Sequence, residues 1–176
     1  MIQYKEAINI IKKISLNLSN EKISILNSIN RVCDSDIVSP SNNPLHNNTA
    51  FDGFAVVARE TKGISIKNPK KFKIIKTIAA GDVPKIKNYS KNTVIEIMTG
   101  GLISKPFDSV LAVENAVYFP SKEKPTHIII SQEVKKSSFI RFEGEDYKLN
   151  DLIVKKGEVI QPKHIMALTT LGIKNI

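Results

Sequence analysis

With 176 residues, 41% of them hydrophobic, the chain can bury a core without disulfide or metal staples and suits one ordinary domain or two small ones. No apolar run approaches membrane-spanning length, and the opening Met1-Ile2-Gln3-Tyr4-Lys5-Glu6 places an acid where a signal peptide is apolar, so the chain reads as soluble and cytoplasmic with no membrane partner. Cys33 is the single cysteine, which excludes an internal disulfide and a cysteine-built metal site.

The formal charge of +9 invites a nucleic-acid reading, but only Arg31, Arg59 and Arg141 of the 26 basic residues are arginines. The lysines are spread along the chain, and the densest run (Lys67, Lys70, Lys71, Lys73, Lys76) holds one aromatic, Phe72, too thin a basis for base stacking. A sheet edge guarded by lysines is the better reading of that run. The basicity suits a small anionic substrate, not a nucleic acid.

In chain order, Tyr4, Ala7, Ile8, Ile11, Ile14 and Leu18 recur at three- and four-residue steps and predict an amphipathic helix of about four turns. Asn17, Ser19 and Asn20 break it. Ser24 then caps a short second helix through Ile29, ended by Asn30, and Val32 to Val38 reads as extended. A run of turn-formers from Ser39 to Pro44 follows, and an apolar segment begins at Phe54. Asp52 therefore stands at a loop-to-strand junction on a backbone that Gly53 lets turn.

From Phe54 to Phe142 the pattern becomes short β-type runs: Phe54 to Val57, Phe72 to Ile78, Val94 to Met98, Val110 to Val113, Ala116 to Phe119, His127 to Ile130 and Phe139 to Phe142. Turn clusters such as Ala80-Gly81-Asp82, Lys87-Asn88-Tyr89-Ser90 and Gly100-Gly101 separate them at sandwich or barrel spacing. Leu152 to Val154 and Val159-Ile160 are short extended pieces, and Pro162 opens a helix that Gly172 stops.

Three loops carry chemistry. The first holds Asp52. The second, Met98-Thr99-Gly100-Gly101, sets a hydroxyl beside two glycines, which suits a close approach of backbone N–H groups to an anion; its plain reading is a glycine turn. The third, Arg141-Phe142-Glu143-Gly144-Glu145-Asp146, gathers three acids and an arginine around one glycine, suited to a divalent cation or to aiming an arginine at phosphate; otherwise it is a solvated acidic turn. His46, His127 and His164 share no ligand spacing and read as surface or edge residues.

Taken together, these loops are more specific than any one of them. Phe51-Asp52-Gly53-Phe54-Ala55 resembles a Met-Asp-Gly-Tyr-Ala signature, Ala79-Ala80-Gly81 an Ala-Ala-Gly turn, Ile97-Met98-Thr99-Gly100 an Ile-Met-Thr-Gly, and Arg141 to Asp146 an Arg-x-x-Gly-Glu-Asp. Glu114, ending a Val-rich strand, and Leu171-Gly172-Ile173 agree as well. In this order and spacing the chain resembles the N-terminal part of the molybdopterin molybdenumtransferase family, that of MoeA and the gephyrin E domain. One loop departs: the family continues Met-Thr-Gly with Ala-Pro and a Gly-Ala-Asp turn, where this chain has Gly101-Leu102-Ile103-Ser104-Lys105-Pro106-Phe107-Asp108.

The resemblance implies an enzyme of molybdenum cofactor biosynthesis, a magnesium-dependent transferase that inserts molybdate into adenylylated molybdopterin and releases AMP. By carry-over, Asp52, Thr99 and Asp146 are the catalytic candidates and Gly100, Arg141 and Glu145 the substrate-binding ones; a physical account of their roles is that Asp52 and Asp146 hold Mg²⁺ or position the attacking water while Thr99 hydrogen-bonds an oxyanion. The expected fold is α+β and mainly β: an elongated, two-lobed chain with a barrel-like β domain (49–146) inserted into a small α/β domain (25–48 and 147–176), preceded by the amphipathic helix (1–24). Family members are roughly twice as long, so the chain is expected to be a fragment without the pterin domain against which its first helix would pack. The resemblance further implies a homodimer in which this chain supplies half of each site, inactive alone, with a separate pterin domain or a molybdopterin adenylyltransferase as partner. The rival reading is a non-catalytic scaffold or dimerisation module of the same fold.

Overall fold

The computed structural model describes residues 2–15, 18–86 and 89–176. Two expected features, the helix break at Asn17 and the Lys87-Asn88 part of one turn cluster, lie outside the described residues. The chain divides into two compact units, Met1–Val38 with Leu152–Ile176, and Ser39–Asp151.

The first unit carries α1 (Tyr4–Lys13), β1 (Ile37–Val38), β10 (Leu152–Val154) and α2 (Pro162–Thr170). Helix α1 ends at Lys13, short of the Leu18 that the periodicity reached, and buries none of its residues. Ile10, Ile11 and Ile14 are all at least half exposed. The short second helix is a single 3₁₀ turn, Ile25–Asn27, with the Ser24 hydroxyl accepting from Leu26 N. The core of this unit is Ile25, Cys33, Val154, Ile160 and Leu168.

Pro162, whose ring presets a helical φ and whose missing N–H is not needed there, sits in the first turn of α2. His164 departs from its expected surface position: it is buried, and its Nδ1 accepts from Gln161 N (3.2 Å) to close a reciprocal cap. Its Nε2 lies 3.3 Å from Glu158 Oε1.

The second unit is built on a six-stranded sheet of β3 (Gly53–Val56), β4 (Lys70–Ile78), β5 (Thr93–Ile97), β6 (Ser109–Ala112), β7 (Ala116–Phe119) and β8 (His127–Ile130). Its order is β6-β3-β5-β4-β8-β7, so it has two edges and forms a curled half-barrel. All pairings are antiparallel except β4 with β5. Phe54, Phe72, Val94, Leu111 and Ile128 pack on one face and Ala55, Ile78, Ile95, Ile97, Phe107 and Val110 on the other. Strand β3 is therefore buried along its whole length. Alternation along β3 and β6 puts successive side chains into opposite core layers, which anchors the register.

Two expectations are corrected here. The lysine-rich strand β4 is not an edge but lies between β5 and β8; Lys71, Lys73 and Lys76 stand on its solvated side while Phe72 and Ile78 are buried. Glu114 does not end a strand but belongs to a 3₁₀ turn, Val113–Asn115, after β6.

A separate two-stranded ladder joins β2 (Asn48–Thr49) to β9 (Ile140–Arg141), with Asn48 opposite Arg141 and Thr49 opposite Ile140. Nothing in the polar run before Asp52 announces β2. It is the element that ties the three loops together.

Candidate active site

Asp52 is held at the start of β3 by Gly53, where space decides the residue. A Cβ on Gly53 would lie 2.1 Å from the Leu111 carbonyl oxygen of β6, so only glycine permits this strand spacing. The Asp52 carbonyl accepts from Val113 N (3.1 Å), which fixes the backbone from the same side.

The Asp52 carboxylate reaches across to the loop after β5. Its Oδ1 accepts from both Thr99 N (2.6 Å) and Thr99 Oγ1 (2.7 Å). The backbone hydrogen bond first, and the hydroxyl second, hold the Asp52 carboxyl below the usual carboxylate range, because both donors stabilise the ionised form. Among the described residues, Asp52 Oδ2 accepts nothing.

The amide groups of the glycine loop face inward. Met98 N donates to Ile78 O (2.9 Å), Gly100 N to Thr49 O (2.9 Å) and Gly101 N to Met98 O (2.8 Å). With Thr99 N on Asp52, four consecutive N–H groups are engaged inside the protein, so this loop is not the anion cradle that its composition suggests. Gly100, at φ 81, instead makes the turn that brings its N–H back to β2.

Thr49 joins this loop to the acidic one. Its N–H donates to Gly101 O (3.0 Å), and its buried hydroxyl donates to Phe51 O (2.6 Å) while accepting from Phe51 N (3.1 Å), closing the turn that leads to Asp52. On the other side of β2, Arg141 and Ile140 complete the ladder. The Thr99 and Arg141 loops thus flank one short strand, roughly two strand spacings, ~10 Å, apart.

In the third loop, Asp146 Oδ2 accepts from the Arg141 guanidinium (2.6 Å) and from Asn43 Nδ2 (3.2 Å). Glu145 Oε2 accepts from Phe142 N (2.8 Å), and Glu143 Oε1 accepts from Asn42 Nδ2 (2.6 Å). Each acid of the cluster therefore serves a neighbouring donor. Asn42 and Asn43, read from the sequence only as turn-formers, pin this loop together with Asn47: Asn47 Oδ1 accepts from Glu143 N (2.8 Å) and Asn42 Oδ1 from Leu149 N (2.9 Å).

The structure brings Asp52 to Thr99 and Arg141 to Asp146, but no hydrogen bond or ion pair joins the two pairs among the described residues. No three acidic, histidine or cysteine side chains gather as a metal site there either. Asp146 already has a guanidinium on its Oδ2 and Asp52 offers one open oxygen. Among the described residues the expected Mg²⁺ therefore finds no closed ligand set, since that ion asks for near-octahedral oxygen ligation. Asp52, Thr99 and Asp146 are exposed on the surface of their unit, and a mobile water or a second molecular surface has direct access to them.

A family model described as the MoeA N-terminal region, domains I and II, matches residues 2–172. Molybdopterin molybdenumtransferase of Staphylococcus epidermidis is 33% identical over 171 residues, covering 97% of this chain and 39% of that protein. The Staphylococcus aureus protein of that name is 31% identical over the same shares. Two crystal structures of molybdopterin biosynthesis MoeA protein from Pyrococcus horikoshii superpose with TM-scores of 0.83 and 0.79, at 26% and 29% identity, covering 99% and 89% of this chain and 43% and 40% of theirs. The chain spans about two fifths of the length of the curated relatives it matches.

Proposed function

Because the chain belongs to the family of MoeA N-terminal regions, we propose that it supplies the Asp52–Thr99 and Arg141–Asp146 parts of a site at which molybdate is inserted into adenylylated molybdopterin with release of AMP. The single observation that carries this reading is the convergence of both Thr99 donors on one oxygen of Asp52. An exposed carboxylate held this way stays ionised at neutral pH and keeps its second oxygen for a substrate or water proton.

The depressed pKa constrains the role of Asp52. A carboxylate below its usual range stays ionised, which suits Asp52 to orient a water or a substrate hydroxyl by accepting its hydrogen bond. Thr99 donates its hydroxyl hydrogen to Asp52 and still offers oxygen lone pairs as an acceptor. Arg141, gripped by Asp146 through one nitrogen only, retains further N–H donors in a planar fork that matches phosphate or molybdate oxygens. Asp146 thus acts by aiming Arg141. Glu145 holds the turn through Phe142 N. Orienting the water and the oxyanion falls to this chain's own residues; Asp52, through its open oxygen, would be the group to hold Mg²⁺ were the full site to bind it, and the ion would supply charge neutralisation.

The relatives' remaining length is the source we assign to the pterin-binding surface, and a homodimer to the arrangement that completes the site in the cytoplasm. The test mixes this chain with the separately expressed pterin domain of a relative, adenylylated molybdopterin, molybdate and Mg²⁺, and follows AMP. Release that needs both chains and disappears with Asp52→Asn supports the reading. A stable complex that releases no AMP overturns it in favour of a non-catalytic scaffold of the same fold. The inward engagement of the Met98 to Gly101 amides, in the loop where the sequence departs from the family pattern, is the observation that favours that second reading.

A further inference from the structure

A cavity of about 840 Å³ opens in the β unit at the other end of β3 from Asp52. Val57, the residue after β3, lines it, which puts it five extended residues of ~3.3 Å, roughly 16 Å, from the Asp52 backbone. The cavity is therefore a place apart from the candidate active site. Four basic side chains line it from three stretches of chain: Arg59 and Lys62 after β3, Lys105 between β5 and β6, and Lys136 after β8. Lys105 stands in the loop where the sequence departs from the family pattern. Two acids share the cavity, and each serves a backbone amide: Asp108 Oδ1 accepts from Ala58 N (2.8 Å) and Glu133 Oε1 from Gly63 N (2.6 Å). Among the described residues, none of the four basic groups is in an ion pair. Asp108 also ties the walls together, its N–H donating to Val56 O (3.1 Å) and its carbonyl accepting from Ser137 N (2.9 Å). The stretches that carry the cations are thus held to one another before any ligand arrives.

We propose that this cavity binds a small molecule bearing two or more linked phosphate groups. Its positive charges outnumber its negative ones and buried Val57 and Phe107 form part of its wall, so an entering anion relieves repulsion among the cations. Arg59 offers a planar fork for phosphate oxygens, and the three lysines add point charges around it. Cations from three separated stretches suit charge spread along a phosphate chain better than one tetrahedral ion. An acidic peptide fits less well, since carboxylates on one face of an extended chain recur only every ~7 Å. The one aromatic of the lining, Phe107, is buried, which leaves no face for stacking a nucleic-acid base. The site is independent of the function proposed above, and no bond is made or broken in it.

The test titrates the 176-residue chain with tripolyphosphate, pyrophosphate and phosphate by calorimetry in metal-free buffer, and maps the bound state by amide NMR shifts. The expected result is one saturable tripolyphosphate site, about tenfold or more tighter than phosphate, with shifts centred on the amides of Ala58, Gly63, Lys105 and Ser137. Lys105→Gln and Lys136→Gln should each weaken it roughly threefold to tenfold. Lys73→Gln, which removes an exposed lysine of β4 outside the cavity, should leave it unchanged. All three lysines are exposed, so urea midpoints should stay with the unmodified chain. The absence of a saturable site in the unmodified chain overturns the proposal. Equal weakening by Lys73→Gln also overturns it, because the binding then reflects the general charge of +9 and not this cavity. A hexaglutamate peptide that binds here more tightly than tripolyphosphate assigns the cavity to an acidic protein segment and overturns it as well. AMP release in the two-chain reaction is read separately, so a failure of that chemistry is distinct from a failure of this site.

Discussion

Asp52 accepts both hydrogen bonds that Thr99 can donate on one carboxylate oxygen, at 2.6 Å from the amide and 2.7 Å from the hydroxyl, across 47 residues of sequence. The contact is between loops, yet its two ends are anchored in strands that pair directly, since Gly53 lies opposite Ile97. The site geometry is thus set by the β3–β5 register.

Asp52 should titrate below its ordinary value of 3.8, and Thr99→Ala should move it part of the way back. Only part is expected because the backbone donor, the larger cause, remains. The sign follows from linkage: a folded-state pKa below the unfolded one contributes stability that is present above 3.8 and lost as pH falls through the depressed value. Carboxyl ¹³C shifts against pH, read in both proteins, check this; identical midpoints refute it.

Gly53→Ala should be among the most damaging single changes in the β unit. The added carbon meets a backbone oxygen that cannot rotate away, so β3 and β6 must part. Overpacking of this kind costs about 1–3 kcal/mol or more. Urea unfolding measures the loss, and weakened protection of the Thr99 amide in hydrogen exchange would place it at the site.

Arg141→Ala and Asp146→Asn should separate stability from function. Both partners are about two-fifths exposed, and exposed ion pairs contribute only ~0–1 kcal/mol after solvent screening. Denaturation midpoints should therefore barely move, while AMP release in the two-chain reaction falls for both. Arg141→Lys should also lose activity, because a point charge does not replace a planar fork.

His164→Ala should destabilise the small unit by about 2 kcal/mol, the sum of a lost cap and a small cavity at a buried position. Thermal unfolding checks the size. His164→Gln, which can restore the reciprocal cap, should recover part of it.

Much of the fold was legible because it is local. The strands around Phe72, Val94 and His127 announce themselves as short β-type runs between turn clusters, α2 by Pro162 and Gly172, and Asp52 by its place between turn-formers and an apolar run. The β2 strand was not legible, because Asn48 has little strand propensity and one β-branched residue, Thr49, is too short a run to announce a strand; the two pair only through the partners that surround them. His164 was misread for a similar reason: a lone histidine in sequence does not show that its ring nitrogen will cap its own helix.

The site divides in the same way. Sequence by itself determined which residues stand in the three loops, and with them the family, since motif identity and spacing are properties of the chain alone. Tertiary structure decided what those residues do: that Thr99 faces Asp52, that the Met98 to Gly101 amides turn inward, and that Asp146 grips Arg141. The physical reason is that hydrogen-bond donors and acceptors are chosen by distance and direction. Those are fixed only when strands distant in sequence settle into register and the buried groups between them must all find partners.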